Sequence, residues 1–146
     1  MLFRIYSPLL LLLAVLVGCG GDEPAFRKPT SPAKGKVTVD GNSPGSGIQI
    51  QCHPVAGADT VHPKDSATET DADGNFSIST YEAGDGLPAD EYTLTFTWQG
   101  FNVMSRSYSG KDKLNGRYSD PKASSIKLTV KEGEENDMGV VALTTK

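Results

Sequence analysis

The chain has 146 residues, of which 37% are hydrophobic and 22% charged, and a formal net charge of −4. That length holds one small domain with short flanking segments. The acidic balance excludes the basic footprint of a nucleic-acid binder and leaves no polybasic patch for anionic lipid heads.

In chain order, Arg4 precedes an apolar run from Leu9 to Val17. The run is shorter than the ~20 residues that a membrane-spanning helix needs. It has the length of a signal-peptide core, and small residues close it. The closing residues, Leu16-Val17-Gly18-Cys19, resemble the bacterial lipobox. The resemblance implies cleavage between Gly18 and Cys19, diacylglycerol on the Cys19 sulfur and often a further chain on the new amine. Two or more acyl chains anchor stably where one is marginal. Residues 1–18 are therefore expected to be a lipoprotein signal peptide, with membrane attachment through lipid on Cys19. Gly20 stands where an Asp would mark inner-membrane retention, which points to the outer membrane of a cell envelope. The following residues, to about 33, are rich in Gly, Pro, Ser and charge, and 19–33 is expected to be a flexible tether.

The remainder, 34–146, reads as one domain of short strands. Lys36 to Asp40 places Val37 and Val39 on one face, and Asp40-Gly41-Asn42 turns the chain. Ile48 to Val55 alternates, with Cys52 on the Ile face and His53 on the other. Once Cys19 is acylated, Cys52 is the sole remaining thiol, and a buried, inert state is expected for it. Ser66 to Thr70 is a polar edge strand, and Asn75 to Thr80 turns Phe76 and Ile78 inward. Glu91 to Trp98 has the strongest pattern, with Tyr92, Leu94, Phe96 and Trp98 alternating with Thr93, Thr95 and Thr97. Ser125 to Val130 follows, then Met138 to Thr144, where Val140 and Val141 leave the register open. No segment has a helical period. Seven short strands with frequent turn signals make an all-β sandwich.

Asp71, Asp73 and Asn75 have the spacing of the first ligands of a calcium loop, but Phe76 stands at the sixth position, where that loop needs glycine, and Glu82 at the twelfth lies beyond a strand. The alternative is a β-hairpin turn in which Asp73-Gly74 supplies positive φ. His53 and His62, with Asp59 and Asp65 nearby, lack the tight spacing of a zinc site. No catalytic residue is assigned, because no nucleophile–base, phosphate-loop or paired-carboxylate motif is present. No cofactor is expected. Trp98, Phe101, Tyr108 and Tyr118 could stack on sugars, although Trp98 falls on the inward face of its strand.

Gln99 to Ala123 is the longest stretch without a clear strand pattern, apart from a short irregular strand over Asn102 to Ser107. It carries Arg106, Lys111, Lys113, Arg117 and Lys122 against Asp112 and Asp120. A basic, aromatic loop on an acidic domain suggests a contact surface for an anionic polymer or a partner protein, with Arg117 and Tyr118 as the candidate contacts. The alternative is a cover over one end of the sandwich, with Arg117 paired to Asp120 or another local acid.

Gly35-Lys36-Val37-Thr38-Val39-Asp40-Gly41, Thr70-Asp71-Ala72-Asp73-Gly74-Asn75-Phe76 and Leu87-Pro88-Ala89-Asp90-Glu91-Tyr92-Thr93-Leu94 resemble the opening strand, signature hairpin and following Pro-x-Gly-x-Tyr segment of carboxypeptidase-regulatory-like domains. With Tyr81-Glu82-Ala83-Gly84-Asp85-Gly86 and Gly116-Arg117-Tyr118-Ser119-Asp120-Pro121 added, the chain is similar to a large group of small bacterial lipoproteins that contain this domain. The resemblance implies a transthyretin-like, prealbumin-type, seven-stranded Greek-key sandwich over about 34–144, without a catalytic centre of its own. Asp90 departs from the pattern, which has Gly there. The expectation is a non-catalytic, lipid-anchored envelope module that binds or scaffolds an envelope protein or polysaccharide. A carbohydrate-binding module and a small metal-dependent hydrolase are the alternatives.

Overall fold

The computed structural model describes residues 26–62 and 64–146. The expected signal peptide, its expected cleavage between Gly18 and Cys19, the expected lipidation of Cys19 and residues 20–25 of the expected tether lie outside the described residues. Among those described there are nine strands and no helix, so the protein is all-β. The strands are β1 (Ala33–Val39), β2 (Gln49–Pro54), β3 (Ser66–Glu69), β4 (Asn75–Ser77), β5 (Glu91–Thr97), β6 (Gly100–Asn102), β7 (Ser107–Ser109), β8 (Lys127–Thr129) and β9 (Asn136–Leu143). One sheet has the order β4-β1-β9, a second β3-β2-β5-β8, and β6 and β7 form a separate hairpin.

The two larger sheets share one core. Period-2 alternation puts Ile50, Leu94 and Phe96 of one sheet on the same interior as Val37 and Val141 of the other. Each such side chain contributes ~1.5–3 kcal/mol on burial, before conformational entropy is subtracted. The β3–β4 connection carries the chain from one sheet to the other, and an Ala67–Ser79 bridge joins them at that corner. At its tip the Asp71 carboxylate accepts the backbone N–H of Asp73 (2.9 Å) and of Asn75 (2.8 Å). Gly74 sits at φ +84° with its Cα so near β1 that an added Cβ would lie 2.4 Å from the Val37 carbonyl oxygen. The Asp71–Asn75 segment is therefore a hairpin turn that no side chain larger than hydrogen can complete.

Several boundaries differ from the sequence reading. The expected tether does not run free to residue 33: Ser31 and Ala33 are buried, and Ser31 exchanges backbone hydrogen bonds with Leu87 at 2.8 and 3.0 Å. Composition alone could not show this, because Ser31 is held through backbone pairing with Leu87, which has no compositional signature. In β9 a bulge opposite Lys34–Lys36, with Gly139 at φ +64°, settles the register: Val140 turns to solvent and Val141 inward. Asp90 is not among the non-glycine residues with positive φ, which are Asp40, Arg106 and Asn115. Its side chain instead accepts the Glu91 N–H at 2.7 Å.

Strand direction gives the sandwich two distinct ends. Gln49 pairs with Thr97 and Glu69, whereas Pro54 pairs with Tyr92 and Cys52 with Ser66. The β6–β7 hairpin follows Thr97 and so lies at the Gln49 end. In the other sheet Lys36 pairs with Asn75 and Lys34 with Ser77, which puts Ala33 at the Pro54 end. With about 3.3 Å per residue along β5, the two ends are about 20 Å apart.

Candidate functional site

At the Gln49 end the chain leaves β5 and forms the hairpin before returning. Its strands are three residues each, with Phe101 opposite Tyr108. The irregular strand expected over Asn102 to Ser107 is instead mostly the turn, and the strands flank it. Asn102 ends β6 by accepting the backbone N–H of Met104 (2.9 Å) and Ser105 (3.2 Å) on its side-chain oxygen. Arg106 completes the reversal at φ 49°. The Phe101 and Tyr108 rings meet edge to face at 5.2 Å, and the Tyr108 hydroxyl donates to the Glu69 carboxylate. A two-stranded hairpin alone is marginal in water; these contacts fix it to β3.

The hairpin leaves its apolar side chains outward. Phe101 is 54% exposed, Val103 77% and Met104 98%. Between hairpin and sandwich lies a cleft of about 430 Å³ lined by Glu69, Trp98, Gln99, Phe101, Tyr108 and Lys113, among others. Trp98 is half-buried against the core, and the Lys113 ammonium lies 4.4 Å from its ring centroid. Three of the four aromatic residues considered for sugar stacking are thus brought together: Trp98, Phe101 and Tyr108. Phe101 and Tyr108 do not lie in irregular chain but pair across two strands too short to show a period in sequence.

Tyr118 is placed elsewhere. It packs on the core, its carbonyl accepts the Phe96 N–H at 2.9 Å, and its hydroxyl accepts the Thr144 N–H at 3.1 Å. It therefore ties the edge of one sheet to the last strand of the other. The half-buried Tyr118 thus has both its carbonyl and its hydroxyl engaged by the sandwich. Arg117 is exposed, and among the described residues it is in no ion pair. The expected Arg117–Asp120 pair is not formed; Asp120 accepts the Lys122 backbone N–H at 2.8 Å instead. Asp112 is likewise used by backbone: its carboxylate accepts Trp98 N–H (2.8 Å), Leu114 N–H (3.0 Å) and Gly116 N–H (2.9 Å). Sequence reasoning counts Asp112 only as a charge. The Asp-x-Leu-x-Gly spacing is the signal for such a cap.

The remaining candidates are engaged by their own surroundings. The carboxyl of Asp71 is held below its usual range by the side-chain amide of Asn75, then by turn amides. Asp73 and Asn75 stay on the outside of the same turn. A cavity of about 380 Å³ at the Pro54 end is lined by Cys52, His53, Asp59, His62 and Asp65, among others. Yet His53 Nε2 bonds the Thr95 hydroxyl at 2.9 Å, His62 stacks on Phe26 at 3.9 Å, and Asp59 pairs with Lys28 at 2.7 Å. Among the described residues no three His, Cys, Asp or Glu side chains converge as a metal site would require. Burial pushes the Cys52 thiol up to about 12, so it stays protonated and a poor nucleophile. On the outer face of the β4-β1-β9 sheet, a wider, open hollow of about 620 Å³ includes Lys34, Lys36, Asp137 and Val140 in its lining.

No family model matches the chain, and no curated protein matches it. Among solved structures it is similar to a 9R-lipoxygenase from Cyanothece PCC8801, at 14% identity and a TM-score of 0.37. The match covers 83% of this chain but 18% of the lipoxygenase. At that score the likeness supports no statement about fold or activity.

Proposed function

We propose that the chain is a non-catalytic, lipid-anchored binding or scaffolding module of a bacterial cell envelope, attached at Cys19 after removal of 1–18. The outer membrane is favoured by Gly20. The finer fold we assign to it is the transthyretin-like, carboxypeptidase-regulatory-like Greek-key sandwich. The motif residues support that assignment, and so does the Tyr92 hydroxyl donating to the Pro88 carbonyl at 2.9 Å, a side-chain-to-backbone clamp found in other Greek-key sandwiches.

The observation that carries the binding reading is the hairpin. Phe101, Val103 and Met104 are held outward on a capped, tied-down element at the end away from the N-terminal segment. Exposed apolar side chains on a rigid support are how interfaces place their anchors. The experiment is photocrosslinking from position 104 in intact cells, with position 129 on the opposite sheet edge as control. Capture from 104 alone supports the reading, and equal capture from both overturns it. Mass analysis of the purified chain tests the anchor, which an unmodified Cys19 would overturn.

A second reading, a carbohydrate-binding module, is favoured by one arrangement: Trp98, Phe101 and Tyr108 surround a cleft that also offers the Glu69 carboxylate and the Gln99 amide. Aromatic faces take the apolar faces of pyranose rings while the polar groups take hydroxyls. Binding on a glycan array that is lost in Tyr108→Ala supports it. No array binding, with crosslinking intact, leaves the protein-partner form alone.

A further inference from the structure

We propose that the Pro54 end of the sandwich is a seat for the lipid bilayer, which holds the domain upright with its hairpin pointing away from the membrane. This rests on the anchor reading and deepens it. Its support is where the N-terminal segment is fixed. Phe26 stacks on His62 with ring centroids 3.9 Å apart. Arg27 pairs with Glu82 at 2.5 Å, and Lys28 pairs with Asp59 at 2.7 Å. The Lys28 backbone N–H donates to the Tyr81 hydroxyl at 3.0 Å. All these partners belong to the Pro54 end. The leash from Cys19 therefore ends at Phe26 and not at residue 33, and seven residues span at most about 25 Å when fully extended.

The same end exposes apolar side chains that the core does not use. Phe26 and Val55 are half-exposed and Val61 is 76% exposed. Val55 directly follows β2, and Val61 adjoins the His62 that Phe26 covers, so all three lie at the Pro54 end. The charges around them are mixed: Arg27 and Lys28 are paired with acids, and Lys64 is accompanied by Asp65 and Asp90. The seat is thus apolar and not electrostatic. Three side chains are too few to hold a protein on a membrane by themselves. The lipid anchor makes the contact intramolecular, and at the effective concentration of a short leash a weak contact suffices.

The test uses the lipoprotein reconstituted in phosphatidylcholine vesicles in which part of the lipid is brominated near the headgroup. The chain has one tryptophan, Trp98, at the hairpin end, so the unaltered protein supplies a baseline. Val61→Trp adds a reporter at the seat and Met104→Trp one at the hairpin tip. Both positions are exposed and tolerate the larger side chain. The expected result is roughly twofold quenching of the added emission in Val61→Trp, as for a side chain at the interfacial boundary, with none in Met104→Trp or the unaltered chain. Replacing a third of the lipid by an anionic one leaves the pattern unchanged. Quenching of Met104→Trp, or of neither variant, overturns the proposal. If cells leave Cys19 unmodified and the chain does not float with vesicles, the anchor reading fails. Coupling the Cys19 sulfur to a maleimide lipid then tests the seat separately by the same quenching.

Discussion

The stretch from Gln99 to Ala123 divides into two parts that obey different rules. Residues 100–109 form a hairpin whose apolar side chains face water, whereas residues 112–123 bury Leu114, seat Tyr118 on the core and bind along the edge of β5. Both parts are basic, contain aromatics and lack a strand period, so composition treats them alike. The difference lies in where their backbone hydrogen bonds go. The first part satisfies its own amides through the β6–β7 ladder and the Asn102 turn. The second has no ladder: besides its own local turns it bonds to Trp98, Phe96 and the Asp112 carboxylate, and the bonds to Phe96 and Trp98 hold it against the sandwich. Backbone satisfaction decides which half of such a stretch remains available to a partner.

Removing Leu114 should have the largest effect. Leu114→Ala empties a fully buried site and should cost ~2–5 kcal/mol by urea unfolding. A loss under ~1 kcal/mol would mean that the second part is no cover. Next, Tyr118→Ala should cost about 2 kcal/mol or more, and Tyr118→Phe about 1 kcal/mol from the lost Thr144 contact. A double change of Arg117 and Tyr118 to Ala should therefore destabilise the domain and not selectively weaken partner capture. Asp112→Ala removes one acceptor from three backbone N–H groups and should cost about 2 kcal/mol. Full stability in that variant would detach Asp112 from the folding of the second part.

The hairpin should behave oppositely. Phe101→Ala with Met104→Ala should change stability by no more than ~0.5 kcal/mol, and crosslinked capture from the tip should fall at least roughly tenfold, as for lost interface anchors. Unfolding of that variant would make the hairpin structural and erase the contrast. The smallest effect concerns acid. Asp40 accepts from the Thr145 and Thr144 hydroxyls, at 2.6 and 2.9 Å, and from the Thr145 N–H. These bonds, the Thr145 hydroxyl first, hold its carboxyl below the usual range. A lowered folded value means stability that is fully present above about pH 4 and lost as pH falls through that value. Asp40→Asn should flatten this part of the acid limb in pH-dependent melting. An unchanged limb would separate the Asp40 clasp from closure of the cover.

Regular elements are readable in the sequence where apolar side chains alternate. In Glu91–Trp98 the threonines alternate with large apolar side chains, and β5 (Glu91–Thr97) buries Tyr92, Leu94 and Phe96 as expected, one residue shorter than read, while Thr93 and Thr95 are buried as well. Phe76 and Ile78 point inward as read. The hairpin is hidden because three-residue strands hold too few residues to display a period. Tyr118 escapes for a different reason: its partner Thr144 is 26 residues away, and nothing local marks a hydroxyl that accepts across a gap between sheets. The end of the tether is hidden because Ser31 is held through its backbone, which carries no compositional signature.

The parallel pairing of β1 with β9 bears on how the chain is made. Synthesis delivers a polypeptide from its N-terminus, so β1 emerges roughly a hundred residues before the strand that completes its sheet. Until Val141 and Leu143 arrive, β1 has β4 beside Lys34–Lys36 on one side and an open backbone edge on the other, the kind of edge that recruits strands from other molecules. A premature stop that deletes only β9 should therefore leave a sticky, unfinished sheet and not a slightly shortened domain. In this molecule the last strand to be made, among those described, is one that the first cannot do without.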